Sequence, residues 1–459
     1  MERPSASGTR FRLLPLLAAL PAAACGGASG AASCAFSILT DAVSPGMATV
    51  GVVEWSTTLP NVASAEVVYT LNGAGPEVLN AGGTAPVDLT KPNHRTLLLG
   101  LKPSSDYTFH LEARDQNGAL CRSPDYALPT TGLLPDAPAI SRTAANPAAQ
   151  AKGFIVTSSG VTYGNYAIVI DADGAVVWYA PSPNQCSRAR LDYEGANMWM
   201  VSVNEDNSGG EMRFVSLDGQ TTVTNVVGLA NAHHDFAVLP GKIAALVWVG
   251  TDTDAPSELV EMSSDGSGSP ATMFAIGPNL YVGSTAAGTP SATSYHANSI
   301  LYHVTDDSFT IGDRYPNLYV KVSQAGALQW QFGGSCAGAP AGAARCVAEG
   351  WKVNHGHHLL DDGTMLVFNN GTDGRPSEAL EFQLDTAGAT MTATSLGDLT
   401  SGGLSSNVLG DVQRLPNGNT LITYSTAGEI VEVDAAGATV QTLTGSYGYA
   451  DWRPTLYGP

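Results

Sequence analysis

The sequence predicts an all-β protein, a six-bladed β-propeller preceded by a β-sandwich. Three observations carry this reading. The 459 residues include 51 Gly and 27 Pro, and short β-type runs separated by Gly, Asp, Asn and Pro dominate, with no long helical period. After residue 153 a strand, Gly-turn, strand piece recurs six times, with turn glycines at Gly174, Gly219, Gly266, Gly326, Gly388 and Gly437, spaced 45, 47, 60, 62 and 49 residues apart. Between these copies fall second hairpins, at Glu194, Leu239, Asp361 and Pro416. Two hairpins make one four-stranded blade, a single blade cannot bury both its faces, and repeats of this length point to a closed ring.

The chain opens on a targeting pattern. Arg3, Arg10 and Arg12 form a basic region, and Leu13 to Leu20 is apolar but too short to span a bilayer. Ala22-Ala23-Ala24-Cys25 follows and resembles a bacterial lipoprotein cleavage box, with Ala22 where Leu is more usual. The resemblance implies a lipoprotein signal peptide over residues 1–24, lipidation of Cys25 and a tether over residues 25–34. It places the protein in the periplasm or on the cell surface, anchored to the outer membrane. An ordinary signal peptide cut near Cys25 is the alternative.

Export permits disulfides. Cys336 and Cys346 enclose a short Gly/Ala-rich segment and are the expected pair, while Cys34 and Cys121 flank the first domain and could pair, leaving Cys186 over. The formal net charge of −20 and a pI near 4.6 leave no basic stripe for phosphates, which argues against nucleic acid as a partner.

Residues 35–132 form the first unit, with strands at Val50–Trp55 and Ala65–Thr70. Leu101-Lys-Pro-Ser-Ser-Asp-Tyr107 resembles the tyrosine corner of fibronectin type III sandwiches. That resemblance implies a fibronectin type III-like domain serving as spacer or docking module, in which His94 and His110 are strand or loop residues. Residues 133–152, rich in Pro and Ala, carry no clear β pattern and are assigned as a linker. The propeller then runs over residues 153–459.

Histidine is sparse, yet three of the nine lie in Asn354-His355-Gly-His357-His358. His233-His234-Asp235 precedes one first hairpin, Tyr295-His296-Ala-Asn298 the next, and Asn354-His355 the one after. In a propeller such positions face the central channel, so three sequence-distant histidines converge there. Arg314 follows the His296 hairpin and can reach the same mouth. His355 lies five residues before Leu360, as His234 lies five before Leu239, which singles out His355 in its cluster.

These elements resemble the bacterial aryl sulfate sulfotransferases, which do not use PAPS. The match runs through His233-His234-Asp235, then His296-Ala-Asn298-Ser299 with Tyr302, Asp306-Asp307 and Arg314. It continues through Asn354-His355 with Asp362-Gly363 and Asn369-Asn370-Gly371, and ends in Gln413 to Asn419. The resemblance spans roughly residues 150–445. Asn354 stands where Gln is common, Asn369 where Asp is usual, and Asp313 where Ser is usual, in position to pair with Arg314. The resemblance implies sulfuryl transfer from an aryl sulfate donor to a phenolic acceptor, with His355 as nucleophile, His234, His296 and Arg314 as catalytic partners, and Asn298 and His233 binding substrate. No cofactor or metal is implied, because no nucleotide loop is present and the cysteines lack metal-ligand spacing. Two other classes fit the same residues: a non-catalytic cell-surface binding or scaffold lipoprotein, and a transition-metal site at His-Gly-His-His.

Overall fold

Runs of β-branched and aromatic residues between Gly-led turns fold into antiparallel sheets throughout the chain. The computed structural model describes residues 34–91, 93–159, 165–203, 210–250, 256–277, 295–334, 336, 346–349, 351–371, 374–400 and 402–458. Cys25 and the targeting segment lie outside them.

Residues 36–129 form two antiparallel sheets. One joins Phe36–Ser44, Met47–Thr57 and His94–Leu98, and the other is built on Val62–Leu71 and Asp106–Asp115. Val53, Trp55, Val67, Leu98, Tyr107, Phe109 and Leu111 fill one core shared by both. The hydroxyl of Tyr107 accepts the backbone N–H of Lys102 at 2.9 Å, the local tie expected of this stretch. Cys121 is bonded to Cys34 with Cα atoms 6.1 Å apart, closing this unit at its edge.

Six further sheets follow in chain order. Their first, innermost strands are Gln185–Leu191, Ala232–Leu239, Ala297–His303, Asn354–Leu359 and Asp411–Arg414 in the second to sixth sheets. In the first sheet that place is taken by Ala450–Arg453, from the C-terminal end, which pairs with Phe154–Ser159. Strands such as Asn197–Val203 are buried on both faces, because each sheet is sandwiched between two others. Separate apolar clusters join the first sheet to the second, second to third, third to fourth, fourth to fifth, fifth to sixth and sixth to first. The sheets therefore close on themselves.

Closure uses both ends of the ring sequence. Ser141–Ala144, inside the stretch expected to be a structureless linker, is the outermost strand of the sixth sheet, paired with Thr439–Thr444. Four residues alternating between exposed and half-buried give too short a pattern to read as a strand, and pairing to a preformed edge supplies what local sequence lacks. The six repeated turn glycines all sit between the third and fourth strands counted from the centre. Five of them have positive φ, between 70° and 85°, the backbone such tight turns demand.

The first unit is fastened to the ring. Thr49 Oγ1 donates to Val177 O at 2.6 Å, Arg95 pairs with Asp218 at 2.6 Å, and Lys102 pairs with Asp171 and Asp173. Gly46 lies so close to Gly219 that a Cβ there would sit 2.6 Å from backbone carbon. The Cys336–Cys346 pair forms as expected, with Cα atoms 5.8 Å apart, beside the short fifth strand of the fourth sheet. Cys186 is left as a buried thiol, pushed up to about 12 by burial. Two disulfides suit an oxidising compartment.

Candidate active site on the innermost strands

Four neighbouring inner strands are interrupted near the same end. Pairing skips between Cys186 and Arg188, between Ala232 and Phe236, between Ala297 and Ser299, and between Asn354 and His357. The extra residues are Ser187, part of His233–Asp235, Asn298, and part of His355–Gly356. A bulge re-aims a side chain out of the ladder, and here each one breaks the simple alternation of faces. The freed carbonyls are tethered by other sheets: Ser187 Oγ donates to His234 O at 2.7 Å, and Ser299 Oγ and Tyr319 Oη donate to His355 O, each at 3.0 Å. Tyr449 Oη reaches Asn298 O at 2.6 Å. Gly356 is required, since a Cβ there would collide with the Asp411 carboxylate.

His355 is 1% exposed, and its Nδ1 lies 2.5 Å from Asn370 Oδ1. The Asn370 amide nitrogen donates to Ser406 O and Leu409 O, both at 2.7 Å, so its oxygen must face His355 as an acceptor. His355 therefore carries its proton on Nδ1, and the lone pair sits on Nε2. Burial pushes the His355 ring down to about 3, aided by the charge of Arg314, so the imidazole is neutral at neutral pH. Asn354 and Asn369 frame this residue: Asn354 donates to Leu318 O, while Asn369 accepts the Lys352 N–H and donates to Glu378.

His234 sits on a left-handed backbone at φ +56°, an uncommon conformation that tends to mark constrained functional residues. Its Nε2 lies 3.2 Å from Nε2 of His296, whose ring is 5.2 Å from that of Tyr315. Burial and the neighbouring imidazoles of His296, His233 and His355 hold His234 well below its usual value, with Arg314 adding to the effect. Arg314 donates its backbone N–H to His296 O at 3.0 Å, and its side chain is half-buried. Asn298 is fully buried and donates to Asn354 O at 2.7 Å, with its Oδ1 unpartnered.

Two sequence expectations change here. His233, expected to touch substrate, is fully buried behind His234: its Nδ1 faces His234 Nδ1 at 2.9 Å, its Nε2 faces Ser257 Oγ at 3.0 Å, and its ring stacks on Trp248 at 3.9 Å. Asp313, which could have paired with Arg314, points into the sheet and accepts the backbone N–H groups of His296 and Tyr315 at 2.7 and 3.3 Å. The reason is strand alternation, which sends adjacent residues to opposite faces.

Burial raises Asp313 to about 7 against those two hydrogen bonds. A carboxyl raised in the fold stabilises it while protonated, and that contribution is lost as pH climbs from its unfolded value of 3.8 towards 7. The depressed histidines act with the opposite sign, losing stability as pH falls below 6.5. Asp313→Asn isolates the carboxyl term: the melting temperature of the variant relative to the native protein should rise by several degrees across that window. A difference independent of pH would contradict this assignment.

His357 and His358 turn away from His355. Both nitrogens of His357 face hydroxyls, Ser299 Oγ at 3.0 Å and Thr310 Oγ1 at 2.8 Å, while His358 Nδ1 accepts the Arg414 N–H at 3.0 Å. Among the described residues no group of His, Cys, Asp and Glu is arranged to hold a metal.

Sequence reasoning assigned no role to Asn370 or to the charges beneath the site. Arg188, 2% exposed, pairs with Asp235 and Asp411 at 2.8 Å and Asp451 at 3.3 Å, and lies over the ring of Tyr449 at 4.4 Å. All four charged residues stand on innermost strands, so aligning the repeats on those strands would have grouped them.

A family described as Arylsulfotransferase (ASST) matches residues 282–446. No curated protein matches the chain. Among solved structures, the chain is similar to the periplasmic gluconolactonase of Pseudomonas aeruginosa at 9% identity and TM-score 0.40, covering 85% of this chain and 99% of that one. A DUF4784 family protein from Bacteroides caccae matches at 10% identity and TM-score 0.37, covering 91% and 98% respectively. At such scores these likenesses set neither the fold nor the chemistry. The family match encloses His296, Asn298, Arg314, His355 and Asn370, so over residues 282–446 the chain is similar to an arylsulfotransferase (ASST) domain.

Proposed function

We propose that the protein transfers a sulfuryl group from an aryl sulfate to a phenolic acceptor through a sulfohistidine at His355, without PAPS. The observation that carries this reading is the Asn370 amide, which leaves a neutral imidazole with its Nε2 lone pair under the influence of the Arg314 charge. In the first half-reaction Nε2 attacks sulfur, the N–S bond forms, and the S–O bond breaks to release the donor as its phenolate. In the second, the acceptor phenolate attacks sulfur and the N–S bond breaks. Charge and protons balance over the cycle, and splitting one transfer into two lowers each barrier. Arg314, with a permanent cation and a forked set of donors, holds the sulfuryl oxygens together with His296 and Asn298, while His234, both of whose ring nitrogens face other imidazoles, supports His296.

In this reading the six sheets are the blades of a β-propeller over residues 153–459, with Ser141–Ala144 as an added outer strand. Residues 35–132 are a fibronectin type III-like spacer. The protein is exported and held to a membrane through Cys25.

The test is turnover of a chromogenic aryl sulfate with and without added phenol. Release of the coloured phenolate should depend on the acceptor, with sulfate appearing on the acceptor. Binding of aryl sulfates without turnover would instead mark a non-catalytic binding protein. Arg314→Leu should lower kcat/KM roughly a hundredfold or more, the scale of losing one strong oxyanion contact. Arg314→Lys should recover only part of that, because the fork is lost. Near-normal turnover in folded Arg314→Leu would remove Arg314 from the site.

A further inference from the structure

Two acidic turns of the sequence, Asp306-Asp307 and Asp361-Asp362-Gly363, play no part in the candidate site. They follow the inner strands Ala297–His303 and Asn354–Leu359, at the ends roughly 20 Å along the strands from His296 and His355. Between them, in the seam of the fourth and fifth sheets, lies a cleft of about 200 Å³. Trp330 and Leu384 give it an apolar lining, and His303, Thr305, Lys321 and Asp361 a polar one.

We propose that this cleft binds a small primary ammonium ion, whose N–H groups donate to the Asp361 carboxylate and to a bare Nδ1 on His303; the site is separate from sulfuryl transfer and does not rest on that reading.

The lone pair on Nδ1 follows from a hydrogen-bonded chain that begins at the His355 carbonyl. Ser299 Oγ lies 3.0 Å from His355 O, and His357 Nδ1 lies 3.0 Å from Ser299 Oγ. Thr310 Oγ1 stands 2.8 Å from His357 Nε2 and 2.9 Å from His303 Nε2. A carbonyl oxygen can only accept, so the Ser299 hydrogen goes to His355 O, and Ser299 Oγ accepts from His357 Nδ1. His357 is neutral, because burial and the imidazoles of His303 and His358 hold it well below its usual value, so its Nε2 is bare. Thr310 donates to that nitrogen and accepts from His303 Nε2. The reverse order would leave two oxygens, Ser299 Oγ and His355 O, in contact at 3.0 Å without a proton between them. His303 is neutral as well, since burial and the Lys321 charge hold it down to about 4. Its one proton is on Nε2, and Nδ1 has no hydrogen-bond partner among the described residues.

The charges of the cleft select the ligand. Lys321 Nζ is held by Asp306 at 2.5 Å, and Ser308 Oγ donates to the other oxygen of that carboxylate at 2.5 Å. Asp361 accepts from Thr305 Oγ1 at 3.0 Å and has no ion-pair partner among the described residues. The cleft therefore presents one uncompensated negative charge beside an imidazole that can only accept. Its complement is a cation with at least two N–H groups, which forms charge-assisted hydrogen bonds to both. A primary ammonium meets this, and Trp330 and Leu384 receive a short alkyl chain. The described imidazoles and carboxylates are not arranged to hold a metal.

The probe is propylammonium, added to the full-length protein at neutral pH. Imidazole nitrogen-15 spectra, with His303 assigned by the signals lost in His303→Gln, should show a protonated Nε2 and a bare Nδ1. Propylammonium should move the Nδ1 signal saturably, with a Kd in the millimolar range expected of so small a ligand. Tetramethylammonium at the same ionic strength, which carries the charge but no N–H, should leave it in place. Asp361→Asn, at an exposed turn, should weaken binding roughly tenfold. Thr310→Val removes the hydroxyl that directs the chain, lets the His303 proton move to Nδ1, and should weaken binding while every residue lining the cleft is kept. A native proton on Nδ1, no saturable shift, or an equal shift with tetramethylammonium would overturn the proposal. Unchanged affinity in either Asp361→Asn or folded Thr310→Val would also overturn it. A stronger response of His303 to zinc ion than to propylammonium would make the cleft a metal site and overturn it too. None of these readouts involves turnover of an aryl sulfate, so failure of the transferase reading leaves them intact.

Discussion

His355→Asn should abolish both transfer and the covalent intermediate. Native enzyme quenched with donor alone, under alkaline conditions that spare an N–S bond, should yield a sulfurylated peptide spanning His355. In His355→Asn the label should vanish and turnover should fall by on the order of 10⁴ or more, the scale of losing a nucleophile. Asn preserves the polar contact to Asn370 without offering a ring nitrogen. His357→Asn and His358→Asn should keep the label, because their nitrogens are engaged by Ser299, Thr310 and the Arg414 N–H. The bulge between Asn354 and His357 is the geometric reason: the extra residue breaks the two-residue parity that would have aimed His355 and His357 the same way. A label that survives His355→Asn and disappears in His357→Asn would move the nucleophile two residues along. A label that survives all three substitutions would remove covalent histidine from the mechanism.

Arg188→Leu should destabilise the fold by roughly 3–5 kcal/mol, the usual cost of breaking a buried ion network by removing one partner. Arg188 joins the second sheet to Asp235 on the third, Asp411 on the sixth and Asp451 on the first. Arg190 adds a contact to Asp451 at 3.1 Å but cannot neutralise three carboxylates. Burial already raises Asp411 to about 6 with Arg188 present. Removing the cation raises the carboxylates further, and a raised folded value means stability is lost as pH rises. The deficit of Arg188→Leu should therefore be smaller at pH 5 than at pH 8, measured by denaturant unfolding. An unfolding midpoint unchanged at both pH values would show that the ring closes without this network. Because Asp235 follows His234 directly and accepts the backbone N–H of Ile300 at 3.0 Å, weakening the network should loosen the site as well.

The all-β class, the repeat and its six turn glycines were legible in the sequence because they are local. A tight turn needs a residue that tolerates positive φ, and a strand needs alternating or continuous apolar residues. The candidate histidines His234, His296 and His355 were singled out because they recur at one register against the first hairpin of successive repeats, Arg314 because it follows the His296 hairpin, and Asn298 through the family resemblance. Tertiary structure alone decided which way their side chains face. The bulges lie on neighbouring inner strands, and no propensity marks them. Ser141–Ala144 became a strand because the sixth sheet offered an open edge. His233 passed from expected contact to buried support, and Asp313 from guanidinium partner to backbone clamp, because each depends on a neighbour's position across a sheet. The tautomer of His355 was decided by Asn370, whose hydrogen bonds join residues that only the fold brings together. A proton's place on a ring is set by the partner of its other nitrogen, and that partner is a fact of three dimensions.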